Sequence, residues 1–141
     1  MATQTKFQIY SANLVKGVHN FNSNTIKVML TNTAPNAATN AVFADITEIS
    51  AGNGYTAGGT ATTLTLSNTS GTEKIVATDV VFTASGGSFG PFRYAVIYDS
   101  TPTSPLKPLI AYLDYGSSIT TNSGETFTVD FDATNGWFQV A

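Results

Sequence analysis

Cysteine is absent from the 141 residues, so neither a disulfide framework nor a thiolate metal site is available. Charge is scarce as well. Asp, Glu, Lys and Arg make up 11% of the chain, against roughly 25% in an average soluble domain. The cations stand singly at Lys6, Lys16, Lys27, Lys74, Arg93 and Lys107, and the formal net charge is −3. Nucleic-acid affinity draws on displaced phosphate counterions, and a chain without a basic stripe has little to displace them with. Nucleic acid is therefore not an expected partner. Long apolar runs are missing too, which excludes a helical membrane span of the usual ~20 residues. The opening MATQTKFQIY lacks a basic segment followed by an apolar run, so no signal peptide is expected and synthesis in a reducing cytoplasm is.

Apolar residues make up 42%, enough for a packed core, and the length suits a single domain over residues 1–141. Thr, Ser and Asn together fill about a third of the chain. A surface of hydroxyls and amides relies on uncharged hydrogen bonds, which suits β-structure and contact with neighbours.

The hydrophobic period changes once along the chain. Ala12, Leu14, Val15 and Val18 fall near 3.6-residue spacing and predict a short helix between Ser11 and His19, with Ser11 as its N-cap. Beyond Asn24 the period is two. Thr25–Leu30, Thr60–Leu66, Glu73–Phe82, Arg93–Tyr98, Leu109–Tyr115, Thr126–Phe131 and Trp137–Val140 read as strands. Asn68-Thr69-Ser70-Gly71 predicts a hairpin turn, and Asn135-Gly136 a tight turn between the last two strands. These elements predict a mainly β fold, an antiparallel β-sandwich or jelly-roll-like barrel with one short N-terminal helix. Phe7 and Ile9 alternate ahead of that helix, so residues 1–10 are a candidate arm for pairing with a neighbour's sheet edge. An ordinary first strand is the alternative.

Chemistry has few places to act. His19 is the single histidine and enters an Asn-rich turn, which marks it as a capping or surface residue. Asp130 and Asp132 lie two apart and would share one face of a strand, as calcium-binding or glycosidic carboxylates do. The run lacks the spacing of a calcium loop, so solvated or turn-forming carboxylates are expected. Arg93, the only arginine, could hold Asp99 or Asp114, or stack on an aromatic neighbour. Phe43, Tyr55, Phe89, Tyr112, Tyr115 and Trp137 could form a sugar-binding platform, but their alternating positions favour the core. No set of residues makes a catalytic constellation, and no enzyme activity or cofactor is expected.

The stretch AGNGYTAGG, Ala51–Gly59, fits the glycine pattern of dinucleotide-binding turns. Such a turn must open a helix, whose aligned N–H groups hold the pyrophosphate. Here Thr60–Leu66 follows, and it alternates as a strand. The loop is read as mechanical: glycines permit close backbone approach, and Tyr55 pins the turn to the core.

Three blocks, Gly52–Gly59, Arg93–Tyr98 and Pro108–Gly116, resemble blocks of a family of small tailed-bacteriophage virion structural proteins. Leu14–Asn20 and Ile26–Leu30 resemble its opening helix and first strand, while Gly124–Val129 and Gly136–Phe138 resemble its closing hairpin. The blocks keep their order across nearly the whole chain. What the resemblance implies is a non-enzymatic particle component. The best-fitting role is a capsid decoration (cement) protein, homotrimeric and seated on the exterior of the major capsid protein shell. A head-tail joining or tail-associated protein is the alternative within the particle, and a carbohydrate-binding module on a phage appendage the alternative outside that class. Phe7, Ile9, Tyr55, Phe89 and Arg93 are the candidate interface residues.

Overall fold

A computed structural model describes residues 2–141; Met1 lies outside the described residues. Its elements are β1 (Thr3–Lys6), α1 (Gln8–Val15), β2 (Ile26–Thr31), a 3-10 turn (Phe43–Asp45), β3 (Thr60–Thr62), β4 (Leu64–Thr69), β5 (Thr72–Ala77), β6 (Val80–Thr83), β7 (Phe89–Asp99), β8 (Leu109–Thr121), β9 (Thr126–Val129) and β10 (Phe138–Val140). Five strands form the large sheet in the order β1-β8-β7-β2-β3. A three-stranded sheet, β10-β5-β4, and a two-stranded one, β6-β9, complete a sandwich-like arrangement. Every pairing between named strands is antiparallel, and among the described residues no closed barrel forms.

Both faces of the large sheet are covered. Ile26, Val28 and Leu30 of β2 alternate onto one face, as their spacing predicts, and join the cluster that holds Ile75, Ala77, Val80, Phe82 and Val129 of the smaller sheets. The intervening Met29 is equally buried, but in a second cluster with Phe7, Val96, Tyr98 and Leu109. The long connection between β2 and β3 closes over that second face, where Phe43 packs on Tyr98 with ring centroids 4.9 Å apart. Removing a side chain such as Met29 from water contributes roughly 1.5–3 kcal/mol, which helps to hold a connection otherwise short of regular structure.

Two predicted strands are each divided between sheets. Thr60–Leu66 breaks at Thr63 into β3 and β4, and Glu73–Phe82 breaks at Thr78-Asp79 into β5 and β6. At this corner the Thr62 hydroxyl donates to the Thr78 carbonyl at 2.6 Å, and the Thr63 N–H donates to the Thr78 hydroxyl at 3.0 Å. Threonine hydroxyls thus supply the bonds that the interrupted ladders lose. The hairpin across residues 68–71 forms as expected, with Ser70 and Gly71 at φ +50° and +86°, the two positive angles a tight hairpin turn requires.

Three sequence expectations are corrected. The helix runs over Gln8–Val15 rather than Ser11–His19, so Ser11 lies inside it and accepts from Lys6 Nζ at 2.6 Å; Phe7 is the N-cap. The helix turns Tyr10 and Asn13 inward and leaves Val15 outside, so the apolar spacing had marked the wrong stripe. The turn at Asn135-Gly136 forms, with the Gly136 N–H donating to the Asp132 carbonyl at 3.0 Å, but it closes no hairpin, because β9 pairs with β6 whereas β10 pairs with β5. The N-terminal segment forms β1 at the edge of its own sheet, Thr3–Lys6 opposite Asp114–Ala111.

Candidate functional site

His19 is buried, not a surface cap. Its Nδ1 lies 3.0 Å from Asp99 Oδ2, with both side chains closed to solvent. The Asp99 carboxylate also accepts from Asn24 Nδ2 at 2.8 Å and from the Thr101 N–H at 3.2 Å. One acid therefore fastens the post-helical loop to the end of β7. The imidazole stacks on Phe21 at 5.8 Å and lies 5.5 Å from the Tyr10 ring. Burial lifts the Tyr10 hydroxyl to a pKa of about 12. A His–Asp pair also orients the base in nucleophilic catalysis, but that chemistry needs a hydroxyl or thiol on the other ring nitrogen. His19 Nε2 is buried and meets no hydrogen-bond partner among the described residues. As built, the pair fastens the post-helical loop to the end of β7.

A second fastening is built by the glycine loop. Gly52 and Tyr55 exchange backbone hydrogen bonds of 2.8 and 3.1 Å around Asn53 and Gly54, both at positive φ. The turn sends Tyr55 inward, where its hydroxyl donates to Glu48 Oε2 at 2.7 Å and accepts from the Leu30 N–H at 3.0 Å. Strand β3 reaches only to Val28 along β2, so the tyrosine satisfies the backbone just beyond its end. Burial, then the bond to Glu48, pushes the Tyr55 hydroxyl pKa far up. Gly58 closes the loop: its N–H donates to Glu48 Oε2 at 2.7 Å and its carbonyl accepts from Tyr98 Oη at 2.7 Å. The N–H groups of Gly52, Tyr55, Gly58 and Gly59 bond within the chain, and a strand rather than a helix follows, so the loop lacks the helix N-terminus on which a dinucleotide turn depends.

A third fastening joins β7 to β8. Arg93 Nε and Nη2 donate to the two Asp114 oxygens at 2.8 and 3.1 Å. The arginine holds the Asp114 carboxyl below the usual range, and that carboxylate in turn raises the guanidinium. Of the two acids considered for Arg93, Asp114 is the partner and Asp99 belongs to His19.

Two grooves lie on the surface. One, of about 810 Å³, is lined by Asp79, Asp130 and Asp132. Asp79 accepts from the Phe131 N–H at 2.9 Å. Asp132 caps its own turn, accepting from the N–H groups of Asn135 and Thr134, and these bonds hold its pKa down. Among the described residues no group of three or more His, Cys, Asp or Glu is placed to hold a metal ion. The other groove, of about 470 Å³, sits beside the end of α1 and is lined by the apolar Leu14, Leu66, Ile75 and Val140, by His19, and by Glu73, its one carboxylate, which also accepts from Asn68 Nδ2 at 3.0 Å.

The five candidate interface residues do not form one exposed surface. Phe7, Tyr55 and Phe89 are buried within the chain, Phe7 under Tyr112 and the other two against each other and Phe82. Ile9 and Arg93 keep some surface. Of the remaining aromatics, Trp137 is buried and donates to Gln4 Oε1 at 3.0 Å, while Phe43, Tyr112 and Tyr115 are half-buried against core neighbours. Glu48 and Asn24 carry no sequence signal, and Asp99 carries none that ties it to His19 rather than to Arg93. Each meets its partner across a loop or a long separation, and no local pattern marks them. Comparison of the chain with family models, curated protein sequences and solved structures returned no match.

Proposed function

We propose that this chain is a structural protein of a tailed-bacteriophage virion. It decorates the exterior of the major capsid protein shell as a homotrimer and stabilises the shell by contact alone. The observation that carries the reading is the ordered series of blocks resembling that family, taken with where they lie. The glycine loop holds Tyr55 against β2, Arg93–Tyr98 is the middle of β7, Pro108–Gly116 begins β8 and holds Asp114, and Leu14–Asn20 holds His19. These four blocks each hold a residue of a fastening between elements, which fits a scaffold role.

The chemistry of the surface is consistent with this role. Threonine, serine and asparagine can be covered by another protein without the steep desolvation cost of unpaired charges. The protein would be made in the host cytoplasm and end on the particle, with the capsid protein and its own copies as partners. It needs no cofactor, nucleic acid or membrane for this, and the reading assigns it no catalytic activity.

Copy number tests the placement. Quantitative mass spectrometry of purified particles is expected to find it in hundreds of copies, approaching the number of capsid protein chains. A count of about six or twelve, the symmetry of a neck or tail ring, would overturn decoration in favour of a joining or tail protein.

A further inference from the structure

An apolar projection and an apolar depression lie side by side at the C-terminal end of α1. Val15 is 89% exposed, more than any other large apolar residue among those described, and Lys16 follows it as the helix C-cap. Leu14 and Gly17, flanking that pair in sequence, line the groove that carries Glu73. The two ion pairs among the described residues, His19–Asp99 and Arg93–Asp114, involve neither Lys16 nor Glu73.

We propose that this patch is where one copy of the chain binds another. Val15 of one copy enters the groove of its neighbour, and Lys16 beside it reaches the neighbour's Glu73. Complementarity of shape and charge argues for this occupant. The groove asks for an apolar side chain accompanied by a cation, and the same patch presents both. Surfaces that hold a feature and its complement close together associate around a rotation axis, each copy giving and receiving the same contact. In a chain with so few charges, a cation and an anion flanking one apolar groove are a specific arrangement. An exposed valine beside it is costly in water and favourable once covered.

The inference takes from the proposed function only that copies associate, and its test needs no particle. Purified full-length protein is examined by sedimentation equilibrium over a range of concentrations. The expected mass is a multiple of the 14.8 kDa chain. Val15→Glu, Lys16→Glu and Glu73→Lys are each expected to weaken association by about tenfold or more. The double variant Lys16→Glu/Glu73→Lys is expected to recover it, because the charges are exchanged and the pair retained. Circular dichroism establishes that each variant is folded, and Val15 is exposed enough for its change to spare the fold. A single-chain mass at every concentration would overturn the inference. So would undiminished association of Val15→Glu, or a folded double variant no better than its parents. Any of these results leaves the copy-number test of the particle reading intact.

Discussion

Gly59 and Gly71 share nearly the same backbone angle, φ +76° and +86°, in opposite surroundings. A Cβ on Gly71 would meet nothing within 4 Å, whereas one on Gly59 would collide with the Val28 carbonyl of β2. Gly71→Ala is therefore expected to cost only backbone strain, about 1 kcal/mol. Gly59→Ala must also push the loop off the strand and is expected to cost about 3 kcal/mol or more. Urea unfolding of the two variants checks this, and equal losses would contradict the close approach of loop to strand. The mechanical character of the glycine run was legible in the sequence, because a threonine-rich strand follows it. The inward Tyr55 was legible too, but its partner Glu48 was not. A hydrogen bond between two loop residues leaves no periodic trace.

At the scale of elements, alternation located strands well and their partners poorly. The apolar repeat over Leu109–Tyr115 predicts a strand, but β8 continues to Thr121 through Gly116 and two exposed serines that carry no such repeat. The division of Thr60–Leu66 between two sheets was invisible, since apolar alternation persists through a corner where the strand changes partners. His19 shows the same limit. Asp99, its partner, is 80 positions away, and only the tertiary fold brings them together. That acid receives hydrogen bonds from the histidine, Asn24 and Thr101, so it joins the post-helical loop to the end of β7. Asp99→Asn keeps the size but removes the charge and one acceptor from a buried network. The expected loss is about 3 kcal/mol of unfolding free energy. A change under about 0.5 kcal/mol, as at an ordinary surface position, would contradict the fastening role.

Considered whole, the molecule is a large sheet buried on both faces and tied across its elements by three polar fastenings. Its acidic groups are few and several are occupied: Asp114 by an ion pair with Arg93, and Asp99, Asp132 and Glu48 by hydrogen bonds. Such a body is weakly charged and cross-tied, with hydroxyls and amides abundant in its composition. The proposed role asks for those properties, since a clamp must resist deformation and be covered at low desolvation cost. Composition alone indicated the uncharged surface, and the ordered blocks indicated the family resembled. The groove beside Val15 emerged only from the fold, because Leu66, Ile75 and Val140 reach it from three different strands. The central claim is that binding this protein strengthens a capsid, and reconstitution tests it directly. Purified protein is added to particles that lack it, and the temperature of DNA release is followed as the surface is titrated. The account predicts saturable binding and a release temperature that rises with occupancy; particles that bind no protein, or bind it and release DNA at an unchanged temperature, would contradict it.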